Sequence, residues 1–176
     1  PVTHLVDQSM VVVVNPSLNV RTLAELVALA RSKPGAVAFG TSGFGGVQHM
    51  AALILSQRAG IEMLHVPFPN SAQIVTNLLS GEVPLALSFV ESVESHLANG
   101  RAIALAVTTR QRSPSLPNVP TIAESGYPGY DIAAWAGIMT TAGTPPSTIG
   151  RLDDAFVQVV EQPGARPMFK GTNARI

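Results

Sequence analysis

Cysteine is absent from the chain, which removes both a disulfide framework and any thiolate metal site. Charge is scarce and balanced: charged residues make up 12% of the 176 positions, and 11 basic residues cancel 11 acidic ones. A net charge of zero offers no electrostatic footprint for a phosphate backbone or an anionic lipid surface, so nucleic acid is excluded as a partner. Long apolar runs are missing too. The most extended, Met10 to Val14, falls far short of the roughly 18 residues that a membrane-spanning helix needs. What the chain does have is 46% hydrophobic residues, enough to bury a sizeable core and too many for a disordered segment. It opens on Pro1-Val2-Thr3-His4 with no basic and apolar leader and stops without a helix end signal, which predicts a piece of a longer protein.

Apolar patterning alternates between strand and helix along the chain. The β-branched run at Met10–Val14 reads as a strand buried on both faces, for which a parallel sheet is the natural home. Thr22 and Glu25 form a capping box ahead of Leu23, Leu26, Val27 and Ala30, and Lys33-Pro34-Gly35 ends that helix. A strand over 36–39 leads into the glycine-rich loop 40–46 and a helix over 47–59 stopped by Gly60. The cycle repeats with strands at 62–66, 85–89 and 102–107 and helices at 71–80 and 91–98. A Pro-rich loop over 108–120, a short helix at 121–125, an extended stretch around Trp135 and a helix opened by Pro145-Pro146 complete the reading. Such βα alternation predicts an α/β fold, a mostly parallel sheet with helices on both faces.

The loop at 40–46 fails three catalytic templates. A phosphate-binding P-loop needs Lys and a hydroxyl residue where Gly46 and Val47 stand. A nucleophile elbow needs Gly at Phe44, and a dinucleotide fingerprint needs Gly or Ala at Gln48. What survives is the hydroxyls of Thr41 and Ser42 with open backbone amides ahead of a helix, a physical anion site whose plainer reading is a tight turn. His49, His65 and His96 lack metal-ligand spacing and read as structural, as do Glu91 and Glu94 as a solvated helix face. Trp135 reads either as core or as a pocket wall.

The collinear set Val13-Val14-Asn15-Pro16, Phe39-Gly40-Thr41-Ser42-Gly43 with Gln48-His49, His65-Val66-Pro67-Phe68, Leu105 to Thr109, Pro117-Asn118-Val119-Pro120 and Gly126 to Tyr130 resembles the substrate-binding proteins of tripartite tricarboxylate transporters, the Bordetella uptake gene (Bug) family. The resemblance covers essentially the whole chain. It implies a type II-like periplasmic binding protein of two α/β domains, exported with its signal peptide removed, that captures a small carboxylate without catalysis or cofactor and presents it to the membrane components of the transporter. Under it, residues 1–12 end a first-domain segment, 13–132 form a complete second domain, and 133–176 return to a truncated first domain. The implied ligand-binding residues are Thr41, Ser42, Gly43, Gly45, Gly46, His49, Phe68, Ser71, Ser88 and Trp135. Phe68 stands where the family often has Tyr, and Ser88 and Phe89 stand where an acid is frequent, which argues against a ligand amine. A ligand-sensing module and a hydrolase using the same cleft are the alternatives. Ile149, Leu152, Phe156 and Val160 would face water in the truncated domain, from which a homodimer is expected.

Overall fold

The computed structural model describes residues 1–165 and 173–174. Eight strands, β1 (Thr3–Gln8), β2 (Met10–Val14), β3 (Ala38–Ser42), β4 (Leu64–Phe68), β5 (Leu85–Phe89), β6 (Ile103–Val107), β7 (Ala134–Ile138) and β8 (Asn173–Ala174), form two sheets. The larger runs β4-β3-β5-β2-β6 and the smaller β7-β1-β8. Five α-helices, α1 (Leu23–Ser32), α2 (Val47–Ala59), α3 (Ser71–Ser80), α4 (Val90–Ala98) and α5 (Pro146–Glu161), and a 3-10 turn at Pro16–Leu18 complete the elements of the described residues.

The helix ends follow local chemistry. Thr22 Oγ1 accepts from the Glu25 amide at 3.2 Å, while the Glu25 carboxylate reaches back one residue further than a standard capping box, to the Arg21 amide at 2.6 Å. Asn70 caps α3 through the Gln73 amide. Gly60 and Gly81 close α2 and α3 in the left-handed conformation, where a Cβ would be strained.

β2 is wholly buried, as its run of valines requires, but it lies antiparallel to both β5 and β6, whereas β3, β4 and β5 pair in parallel. The sheet is therefore mixed, with one reversed strand near its centre. Both-face burial is a property of a central strand and not of its direction. Met10, Val12 and Val14 face α1 and α2 in one core, and Val11 and Val13 face α3 and α4 in the other. Strands β3 and β4 start two residues later than the apolar pattern predicts. Their parallel register extends to Thr41↔Pro67 and Ser42↔Phe68, and Pro67 is tolerated because β4 is an edge strand. Where the sequence predicts a helix over 121–125, Thr121 bridges to Val107 and residues 122–126 form turns, although Thr121 and Glu124 still exchange capping-box bonds.

The two sheets are joined at Ser9, between β1 and β2, where Ser9 Oγ and Thr109 Oγ1 make a buried hydrogen bond of 2.9 Å. Helix α5 packs on β1 and contributes nothing to the two cores of the larger sheet. Val160 is buried, Ile149 and Phe156 are half-buried, and only Leu152 of the expected water-facing set is exposed. The stripe is covered largely within the chain, which removes the argument for a homodimer. Of the expected 133–176 segment, residues 166–172 and 175–176 lie outside the described residues. No described helix is long and apolar enough to cross a membrane.

Candidate functional site

β3, β4 and β5 run in the same direction, and each hands over at its carboxyl end to a helix, α2, α3 or α4. This end of a sheet is where open α/β folds place ligands, since helix N-termini leave backbone amides without intrahelical acceptors. The three termini differ. Asn70 caps α3, and the Val90 amide of α4 donates to Ser9 O at 3.3 Å. Helix α2 follows Gly46 as its N-cap residue with no side-chain cap, and the amides of Phe44, Gly46, Val47 and Gln48 have no protein acceptor among the described residues.

Thr41 and Ser42 belong to β3, which leaves a loop of only four residues, Gly43 to Gly46. Gly43 and Gly45 hold φ of +73° and +72°, where any side chain would be strained. Thr41 is wholly buried. Its hydroxyl meets Gly43 O at 3.1 Å and His65 Nε2 at 2.6 Å. The Ser42 amide donates to Gln48 Oε1 at 2.9 Å, and the Ser42 hydroxyl donates to the same oxygen. Both hydroxyl protons are thus engaged within the protein. What the loop leaves without a protein acceptor among the described residues is backbone N–H, the chemistry of a carboxylate or phosphate cradle, beside the exposed ring of Phe44.

His49, in the first turn of α2, accepts from the Gly45 amide through Nδ1 at 3.0 Å. Its ring stacks on His65 with centroids 3.9 Å apart and planes 11° from parallel. Burial first, and the neighbouring His49 charge second, hold the His65 pKa below its ordinary value. Phe68 packs over Gly40, where a Cβ would come within 3.0 Å of its ring. Ser71 opens α3 and lines a groove of about 370 Å³ with Ala72, Val75 and Ser92. At the start of α4, burial raises the Glu91 pKa although the residue as a whole is exposed; its own amide opposes the shift and the Glu94 charge adds to it.

Thr41, Ser42, Gly43, Gly45, Gly46 and His49 therefore form one cluster, with Phe68 beside it across the β3–β4 register. Ser88 is fully buried opposite Val11, and its hydroxyl has no partner among the described residues. Trp135 lies on the smaller sheet opposite Asp7, 58% exposed, which excludes a core role. Sequence reasoning missed Gln48, which fixes Ser42, and the approach of His65 to His49. Linear spacing carries no signal for the second, because β3–β4 pairing creates it.

A family model described as "Tripartite tricarboxylate transporter family receptor" matches residues 1–173. Among curated proteins, the chain is 35% identical over 164 residues to the "UPF0065 protein in tcbD-tcbE intergenic region" of Pseudomonas sp. strain P51, covering 93% of this chain and 49% of the relative. It is 32% identical over 178 residues to "Protein BugT" of Bordetella pertussis, covering 96% and 55%. The chain spans about half the length of these curated relatives. Among solved structures, "R. palustris Rpa4515 with adipate" superposes on 99% of this chain and 59% of its own with a TM-score of 0.88 and 29% identity. "Structure of periplasmic binding protein BugD" shares the fold at 24% identity and a TM-score of 0.86.

Proposed function

The chain belongs to the tripartite tricarboxylate transporter receptor family, and on that premise we propose that it is part of a periplasmic solute-binding protein that captures a small carboxylate and delivers it unchanged to the membrane components of such a transporter. The observation that carries the reading is the likeness, over 99% of the chain, to a structure with adipate. The local chemistry agrees with it. The open amides at the start of α2 and the glycine loop suit a carboxylate. The Thr41–His65 contact has the reach of a nucleophile and its base, but Thr41 is buried and His65 Nδ1 meets no carboxylate that could orient it. In this reading Thr41 to Gly46 and His49 form one wall of the site. Phe68 and Ser71 flank it, and Ser88 and Trp135 enter it only if the chain rearranges around the ligand. Ser88 and Phe89, standing where relatives of this family frequently carry an acid, offer no counter-charge to an ammonium group, so amino acids bind less well than plain carboxylates.

Calorimetric titration of the full-length protein tests this directly. Adipate, a monocarboxylate of similar length and an amino acid of similar size are compared. Binding of a carboxylate near micromolar, about −8 kcal/mol, is expected, with the amino acid weaker. Affinity for none of the carboxylates, or a preference for the amino acid, overturns the reading.

A further inference from the structure

The hydrogen bonds around the stacked imidazoles fix their protonation. Because the Gly45 N–H points at His49 Nδ1, that nitrogen is a bare lone pair and the ring proton sits on Nε2. Thr41 has one hydroxyl proton, which goes to Gly43 O, so Thr41 Oγ1 accepts from His65 Nε2–H. His65 Nδ1 is then an unprotonated atom, buried and without a partner; the other tautomer would bury an N–H with no acceptor. A second proton on His49 would set N–H against the Gly45 N–H, and one on His65 would have no acceptor at all. With centroids 3.9 Å apart, a charge on one ring also opposes a charge on the other.

The surroundings do not relieve this. Strand β3 brings Phe39 to His65, with centroids 5.0 Å apart, and the loop brings Phe44 edge-on to both rings, at 5.7 Å from His49 and 4.8 Å from His65. Strand β4 carries no charged residue, and Glu62 precedes it. The only formal charge on α2 is Arg58, at its far end, which bonds the carbonyls of Pro128 and Gly129. Among the described residues neither imidazole has an ion-pair partner.

We propose that the His49–His65 pair is the positioning element of the anion loop, holding Thr41 to Gly46 in its binding shape while both rings are neutral and releasing it when one is protonated, so that carboxylate capture weakens as the surroundings acidify. The inference rests on the carboxylate reading above and deepens it. Its sign is diagnostic, since a mere charge effect would act the other way: an imidazolium beside the site would attract the anion and tighten binding.

The test follows the Gly45 amide and both imidazoles by NMR in the full-length protein from about pH 8 to about pH 5, with adipate calorimetry across the same range. The Gly45 amide is expected to titrate with the midpoint of the His49 ring. Adipate affinity is expected to fall by about threefold or more in the parent protein, and to fall by less in His49→Gln beyond the ligand's own titration, because a Gln oxygen can accept from Gly45 without titrating and only His65 remains to take a proton. A Gly45 amide that stays still while His49 titrates overturns the proposal. So does adipate binding that tightens in acid, or an equal acid loss in His49→Gln. If adipate binds at no pH, the carboxylate reading fails separately, and co-titration of Gly45 with His49 alone decides whether the pair holds the loop.

Discussion

Replacing Gln48 with Met asks whether the amide under the loop organises it. Gln48 is 1% exposed, and its Oε1 accepts from both the amide and the hydroxyl of Ser42. Methionine has similar volume, so little packing is lost, but both bonds go, each worth about 0.5–1.5 kcal/mol net, and the Ser42 amide loses its partner. One gain opposes this: Gln48 Nε2 is buried without an acceptor, and removing it relieves about 1 kcal/mol. The balance is a destabilisation of about 1–2 kcal/mol, a fall of roughly 2–8 °C in Tm for a chain of this size. Pairing Gln48→Met with Ser42→Ala in a double-mutant cycle isolates the hydroxyl bond, with an expected coupling of about 1 kcal/mol by thermal or urea unfolding. Since Ser42 donates inward, Ser42→Ala weakens adipate binding only through loop disorder, and adds little once Gln48→Met is present. A coupling below about 0.3 kcal/mol would show that the two residues do not act as one unit, and the account of the loop would fall.

Other expectations follow from single contacts. The His65 pKa is lowered in the folded protein, so its neutral form stabilises the fold above the ordinary value of 6.5; that contribution is lost as pH falls through the depressed folded value, and urea midpoints should decline in this window for the parent but not for His65→Phe. Gly137→Ala places a Cβ 2.6 Å from Thr3 O across the β1–β7 ladder; a cost of about 1–3 kcal/mol is expected, and an unchanged Tm would contradict the pairing. Tyr130→Phe removes a buried 2.8 Å bond to Ala51 O; chemical unfolding should register a loss of about 1 kcal/mol, and no loss would show that the bond is energetically silent.

Helix boundaries were legible in the sequence because their signals are local. Thr22, Gly60 and Gly81 each act on a backbone group within a few residues. Strand boundaries were less so. β3 and β4 end at Ser42 and Phe68 because they pair with each other, and neither Gly40 nor Pro67 announces a strand by itself. The direction of β2 was hidden for a different reason: five buried residues look the same whichever way the strand runs. Of the candidate site, His49 came only with the family resemblance, whereas the glycine loop could be read from its place between strand and helix. Gln48 could not, since a lone polar residue at the start of a helix gives no sign that it will turn inward. The stacking of His49 on His65 is a tertiary event, invisible to spacing.

The reversed strand also bears on how this protein is born. β2 is synthesised well before both of its hydrogen-bonding neighbours, β5 (Leu85–Phe89) and β6 (Ile103–Val107), so neither flank can be satisfied until those strands have been made. Until then Met10 to Val14, uncharged, β-branched and free of proline, is the kind of segment that pairs with its like in a neighbouring chain. The nascent protein therefore carries an aggregation-prone strand unpaired during synthesis, and holdase protection over that interval should raise its yield without changing the stability of the finished fold.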